Sequence, residues 1–332
     1  MKRKFLVLVA VAVLCLASLA LATSALLGPA FSDPRKTFRM PAKWVKKPVK
    51  YESWAEKADI SVTLEQDVYQ MILPLIDKFA KERGLKIAVK EGTCGMAAGM
   101  LSRKAIDIGG FCCPPSREDR LPGLKFHTLG IVAIAYIVHR DNPVESVSTE
   151  QLRDIFRGKL DRWSELKGPA GRPGPDLPIM TVGRLHCPLR PGHWRLLLGS
   201  GDQFGPNLFE VGSIPDGIAL VEENKRAIGW ETLGMVEHYK AIGKVKPIRI
   251  DGYLPTDSAV LASGKYPFYR TYNLTTWEGA DKNPKAEELI KYLMEEMGRP
   301  DTIYGAYGFV PASALRKAGW KFKGDELIGG PG

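Results

Sequence analysis

Apolar positions along this chain fall into two recurring spacings. Over 58–64 (ADISVTL) and 85–92 (LKIAVKEG) they are β-branched and closely set, which predicts strands. Between them, YQMILPLIDKFAKERG (69–84) repeats its apolar residues every three or four positions, which predicts a helix stopped by Gly84. Pro74 is expected near the first turn of that helix, where its missing N–H costs little. MAAGMLSRK (96–104) reads as a short helix and AIDIGGF (105–111) as a third strand. The order β-α-β-α-β argues for an α/β layer with largely parallel strands. HTLGIVAIAYIVHR (127–140) is long, apolar and β-branched, as suits a strand passing from one lobe into another.

Farther along, STEQLRDIFRGK (148–159) has N-cap candidates in Ser148 and Thr149 and an apolar face in Leu152, Ile155 and Phe156. A Gly/Pro-rich loop (167–178) leads to the strand IMTVGR (179–184), and further strands are expected at 227–231 and 246–251. PKAEELIKYLMEEMG (284–298) is an amphipathic helix. No internal repeat and no low-complexity segment interrupts this order.

The N-terminus changes the cellular picture. Lys2, Arg3 and Lys4 precede an apolar run from Phe5 to about Ala22, followed by small residues, the layout of a secretory signal peptide over 1–25. The run is nearly long enough for an uncleaved membrane anchor. Cys15 follows Leu14 where lipidation wants a small residue, so no lipid is expected there. Residues 26–57 read as a polar, basic linker or arm. About 270 residues remain, more than one core usually serves, so two lobes are expected. The net charge of +10 suits an anionic membrane surface or an anion handler, or is simply a solvated surface. No basic stripe is interleaved with stacking aromatics, so nucleic acid is not an expected partner. Export leaves four of the five cysteines, Cys94, Cys112, Cys113 and Cys187.

Several strings arrive in a familiar order. KAIDIGGFCCPPS resembles the strand end and serine-rich loop of phosphate-type solute-binding proteins. HRDNPVESVSTEQLRDIFRGKLDRWSEL (139–166) resembles their Asn-Pro, helix, Phe-x-Gly-Lys and Trp stretch. PIMTVGR, RAIGWETLG, KPIRIDGYLPT, GKYPFYRTYNLTT and YGFVPAS are similar to the later landmarks, so the likeness runs over about 58–315. The resemblance implies an α/β, two-lobe type II periplasmic binding protein with mixed sheets, flanking helices and two hinge crossings. Lobe 1 would be 58–136 plus 253–320 and lobe 2 would be 137–252, with 321–332 as a tail. It also implies a monomer that captures a small ligand and presents it to a membrane ABC permease or sensor kinase.

The departures from that family bear on the ligand. Its members hold phosphate with backbone N–H groups at helix N-termini, hydroxyls and an arginine. Here VTLEQD (62–67) keeps only the hydroxyl of Thr63 and adds Glu65 and Asp67, which would repel an anion. EGTCGMAAG places Cys94 near a serine position, and Cys112 and Cys113 replace the serines of the strand-end loop. GRLHCPLRPGHW (183–194) keeps Arg184 but sets Cys187, Pro188 and Leu189 at the Gly-Ser-Gly positions. All four cysteines thus fall where the family contacts its ligand, and His186 and His193 flank the last.

Three chemistries stay open at this point. The cysteines of an exported chain can pair as disulfides, with Cys94 bridging Cys112 or Cys113. They can form a soft site for Cu(I), Zn(II) or As(III), with Cys94, Cys112, Cys113 and Cys187 as ligands and His186 or His193 assisting. An oxyanion held by Arg184, Arg190, Thr63 and backbone N–H groups is the third reading. A thiolate nucleophile at Cys187 beside His186 or His193 would make an enzyme, but no third orienting residue is evident. His127, His139 and His238 read as structural or surface residues. We read a binding protein, not an enzyme, with a thiophilic metal or metalloid as ligand.

Overall fold

The computed structural model describes residues 30–167, 171, 173–299, 305 and 307–331. The expected signal peptide, with Cys15 inside it, lies outside the described residues. In chain order the strands and α-helices begin with α1 (Ala42–Lys46), β1 (Ile60–Glu65), α2 (Gln66–Arg83), β2 (Ile87–Gly92), α3 (Cys94–Ser102), β3 (Ile108–Phe111) and β4 (Leu124–Ala133). Next come β5 (Ala135–His139), β6 (Ser146–Val147), α4 (Thr149–Arg157), β7 (Met180–Gly183), α5 (Arg195–Leu198), β8 (Leu208–Glu210), α6 (Ile214–Glu223) and β9 (Ala227–Glu231). They continue with α7 (Leu233–His238), β10 (Val245–Pro247), β11 (Arg249–Ile250), α8 (Ser258–Ala262) and β12 (Tyr269–Trp277). The last are α9 (Pro284–Met297), β13 (Phe309–Pro311), α10 (Ala312–Lys317), β14 (Lys321–Lys323) and β15 (Glu326–Gly329).

Two mixed sheets carry the architecture. A six-stranded sheet runs β13-β4-β12-β3-β1-β2 and a five-stranded one β10-β5-β9-β7-β8. In the first, β1 pairs in parallel with β2 and β3, but β12 is antiparallel to both β3 and β4. The three strands of the β-α-β-α-β order are parallel as expected, and the sheet is mixed, as the resemblance implied, because a fully buried strand from the last third of the chain inserts antiparallel beside β3. The apolar run 127–140 is divided at Ile134, whose N–H bonds Phe268 O, and its two halves serve different sheets. The chain crosses between the sheets there and returns after β10.

Local signals explain most boundaries. α4 carries a capping box in which Ser148 and Gln151 satisfy each other's backbone N–H groups, and it ends at Gly158 with φ 75°. α2 begins earlier than its apolar period suggests, because the Glu65 side chain accepts from the N–H groups of Asp67 and Val68. Pro74 consequently lies in the helix interior, not in the first turn, and leaves the Gln70 carbonyl without its usual partner. The strand expected over 246–251 is split into β10 and β11 at Ile248, whose N–H bonds Tyr136 O.

The N-terminal segment starts with Ala30 and Phe31 against the core of the five-stranded side and then runs over the core of the six-stranded sheet, to which it is pinned. Phe38, Met40, Trp44, Val49 and Trp54 pack against that core. The buried Lys104 ammonium ties the segment down, donating to Val45 O and Lys47 O and pairing with Asp281 at 2.6 Å. Residues 321–329, expected as a tail, form the β14–β15 hairpin, and Glu326 holds the buried Arg120 at 2.6 Å.

Candidate functional site

The site is assembled at the C-terminal ends of β3 and β7, where short loops face each other from the two sheets. On the first side, Thr93 caps α3 by accepting from Met96 N–H, which makes Cys94 the first helical residue. β3 can approach α3 and β1 closely because it carries glycines. A Cβ on Gly109 would sit 2.6 Å from Leu101 Cδ1, and one on Gly110 would sit 2.5 Å from Leu64 Cδ2. The strand therefore delivers Cys112 and Cys113 directly beneath the helix start, and Asn273 Nδ2 fixes the turn through Cys113 O at 3.0 Å. Cys94, Cys112 and Cys113 are each at most 1% exposed. Their Sγ atoms are 3.6 Å apart for Cys94–Cys112 and 3.9 Å for Cys112–Cys113, and all four described cysteines are free. A disulfide needs about 2.05 Å, so these sulfurs are neighbours without a bond.

The loop after β7 supplies the other side. Cys187 (φ 55°) and His193 (φ 53°) both adopt the left-handed region, which side-chain-bearing residues reach only where the surroundings hold them. Arg195 supplies part of that restraint, bonding Cys187 O at 3.5 Å, Arg190 O at 3.2 Å and Pro188 O. Trp194 Nε1 adds a bond to His186 O at 2.8 Å. Arg190 crosses to the first side, where it pairs with buried Asp119 at 2.6 Å and reaches Cys94 O at 3.4 Å. Its guanidinium also sits 5.2 Å from the Phe111 ring centre.

Two triangles of donors result. The Sγ atoms of Cys94, Cys112 and Cys113 lie within 4.8 Å of one another, and so do the donor atoms of Cys113, His186 and Cys187. His186 Nδ1 is 3.1 Å from Arg184 O, and a carbonyl only accepts, so Nδ1 carries the proton. Its Nε2 is buried without a partner. An orienting bond at one ring nitrogen and a free lone pair at the other is the arrangement of a metal-ligating histidine. His193 stacks edge-on to His186 with centroids 4.5 Å apart, and neither of its ring nitrogens has a partner.

Charge within the cluster alternates. Hydrogen bonds from Cys113 and Cys94 pull the Cys187 thiol down to about 3 and hold Cys112 well below the ordinary thiol range. Cys94 and Cys113, as the donors, are pushed up. Burial, reinforced by the Arg270 charge, holds His193 well below the usual imidazole value and hence neutral. Cys112 and Cys187 are thus the sulfurs in which the thiolate, the form that binds soft metals, is favoured.

Comparison with known proteins places this geometry in a lineage. Residues 51–185 match the model of a PBP superfamily domain. The phosphate-binding protein PstS of Bacillus subtilis is 25% identical over 272 residues, covering 79% of this chain and 84% of that one. Protein SphX of Synechococcus elongatus is 23% identical over 317 residues, covering 84% and 88%. Among solved structures, a putative phosphate ABC transporter substrate-binding protein from Clostridium perfringens with bound phosphate aligns at a TM-score of 0.58. It is 19% identical and covers 81% of this chain and 98% of its own. The chain is similar in sequence to these phosphate-type binding proteins over most of its length and shares their two-sheet α/β fold.

The N-terminus of α2 is capped by the chain's own carboxyl group. The Glu65 carboxyl, 3% exposed, occupies the N-terminus of α2 where an external anion would dock. Asp67 lies beside it, accepting from Thr232 Oγ1 at 3.0 Å and pairing with Arg270 at 3.2 Å. Arg270 in turn pairs with Glu231 at 2.6 Å, so its charge is already answered twice. Burial pushes Asp67 up to about 6 and raises Glu65 well above the usual carboxylate range. Thr63 is wholly buried in β1 with its hydroxyl unpartnered, and it joins neither donor triangle. Arg184 stands outside them too, lining a cavity of about 20 Å³ with Trp230 and Glu231. Arg190 is engaged with Asp119, not open to a ligand.

Sequence reasoning missed Arg270, Asp119 and Glu231. A signal for Arg270 existed, since it interrupts the otherwise uncharged run YPFYRTYNLTT at a position with no exposed neighbours. Among the described residues no helix is long and apolar enough to cross a membrane.

Proposed function

We propose that this solute-binding protein captures a thiophilic metal ion or metalloid between its two lobes and presents it to a membrane ABC permease or sensor kinase. The binding site would be Cys94, Cys112, Cys113 and Cys187, with His186 and His193 assisting. Lobe 1 would comprise 58–136 with 253–320 and lobe 2 would comprise 137–252. The chain would act as a monomer in the periplasm after removal of residues 1–25. The observation that supports this reading is the sulfur spacing. Two thiolates on one ion at about 2.3 Å are separated by about 3.8 Å in a tetrahedron and about 4.0 Å in a trigonal plane. The Cys94 and Cys112 sulfurs lie 3.6 Å apart and those of Cys112 and Cys113 3.9 Å apart.

A second reading, phosphate or another oxyanion, draws support from the printed names of the relatives and from the retained Arg184. Equilibrium dialysis of the reduced full chain against Cu(I), Zn(II), arsenite and phosphate separates the two, with elemental analysis and a free-thiol count. Stoichiometric soft ligand with protected thiols is the expected result. Micromolar phosphate binding with no soft ligand retained would overturn the proposal.

A further inference from the structure

The donor triangles share Cys113 but do not merge into one set in which every donor lies within 4.8 Å of every other. A single tetrahedral ion wants four mutually close donors, with edges of about 3.8 Å for thiolates. Here the donors fall into two sets of three. One is all sulfur and comes wholly from the side of the six-stranded sheet, at Cys94, Cys112 and Cys113. The other is mixed, and takes His186 and Cys187 from the loop after β7.

We propose that the site binds two monovalent soft cations of the Cu(I) or Ag(I) class, each three-coordinate, with the Cys113 thiolate bridging them. A thiolate sulfur has lone pairs enough for two ions. Soft monocations of filled d shell accept three thiolate or imidazole donors without demanding a fourth. The all-sulfur position would be Cys94, Cys112 and Cys113, and the mixed sulfur–nitrogen position Cys113, Cys187 and His186 through Nε2. His186 is already oriented for this by the bond from Nδ1 to Arg184 O. Arg195 donates to Cys187 O beside the mixed position and holds that loop in place. A bridge at Cys113 would also couple loading to closure, because the second ion takes its other two ligands from the opposite sheet.

This inference rests on the soft-ligand reading of the site and adds the number and charge of the ions. The test is anaerobic titration of the reduced full chain with Cu(I) against a chromophoric Cu(I) chelator, followed by native mass spectrometry. Two ions per chain are expected in the wild type, with a Cu···Cu vector in X-ray absorption. His186→Ala and Cys187→Ser should each retain one ion, and circular dichroism should show both variants folded. One ion per chain in the wild type, unchanged by Cys187→Ser, would overturn the two-ion site while leaving a soft-metal protein. Arsenite held at one per chain with no Cu(I) retained against the chelator would overturn it likewise. No soft ligand of any kind would defeat the underlying reading as well.

Discussion

Arg270 is the charge on which the junction of the two sheets turns. It is 1% exposed on β12, with Asp67 of α2 on one side and Glu231 at the end of β9 on the other. Burial alone would lower its pKa, but the two carboxylates outweigh that and hold it well above its ordinary value. Replacing Arg270 by Met removes the cation and leaves Asp67 and Glu231 facing each other inside the protein. Breaking a buried pair in this way costs about 3–5 kcal/mol, because the abandoned charge cannot be rehydrated. For a chain of this size that corresponds to a fall in Tm of about 6–20 °C. Urea unfolding of the metal-free, reduced protein measures the loss without interference from the thiols. Adding Asp67→Asn and Glu231→Gln removes the stranded charges, and the triple variant should recover at least half of it. Small-angle scattering should show the single variant more open, since Glu231 and Arg270 belong to different sheets. If Arg270→Met unfolds within about 1 kcal/mol of wild type, a surface-like pair, the claim that this network is dry is refuted.

Lys104→Met should cost about 3–5 kcal/mol as well, since it strands Asp281 and frees two carbonyls of the N-terminal segment; limited trypsin digestion should then cut faster at Lys43 and Lys46. Glu65→Thr empties the α2 N-terminus of its carboxyl while leaving a capping hydroxyl, and should strengthen phosphate binding by roughly tenfold, on the order of 1–2 kcal/mol. An unchanged calorimetric titration would show that the carboxyl is not what bars the anion. His127 sits between Asp325 (3.1 Å) and Thr276 (2.8 Å), and burial holds its pKa below the ordinary value. The unfolded chain therefore binds this proton more readily, and stability present above about pH 6.5 is lost as pH falls from there through the folded pKa. His127→Gln should flatten the wild-type decline between about pH 6.5 and 5 in thermal melts, and parallel declines would refute the assignment.

What the sequence alone determined was the set of local elements and the residue types at the ligand loops. Period and capping foretold α4, α9 and most strands, because a capping box or a β-branched run is complete within a dozen residues. The same locality misplaced Pro74, since the start of α2 depends on a side chain, Glu65, folding back from the strand before it. It foretold the parallel β1, β2 and β3, but nothing near β3 announces that β12 will insert beside it from 160 residues away. The four cysteines and His186 were legible as unusual residues, and the likeness to a known family implied that their loops meet. Their spacing was not legible, because a triangle of sulfurs depends on glycines at 109 and 110 that let two elements approach. Nor could the sequence show that Glu65 caps α2, or that Arg270 answers Asp67 and Glu231 at once. Buried charges choose partners by distance in space, and only the folding of both sheets around one junction set those distances.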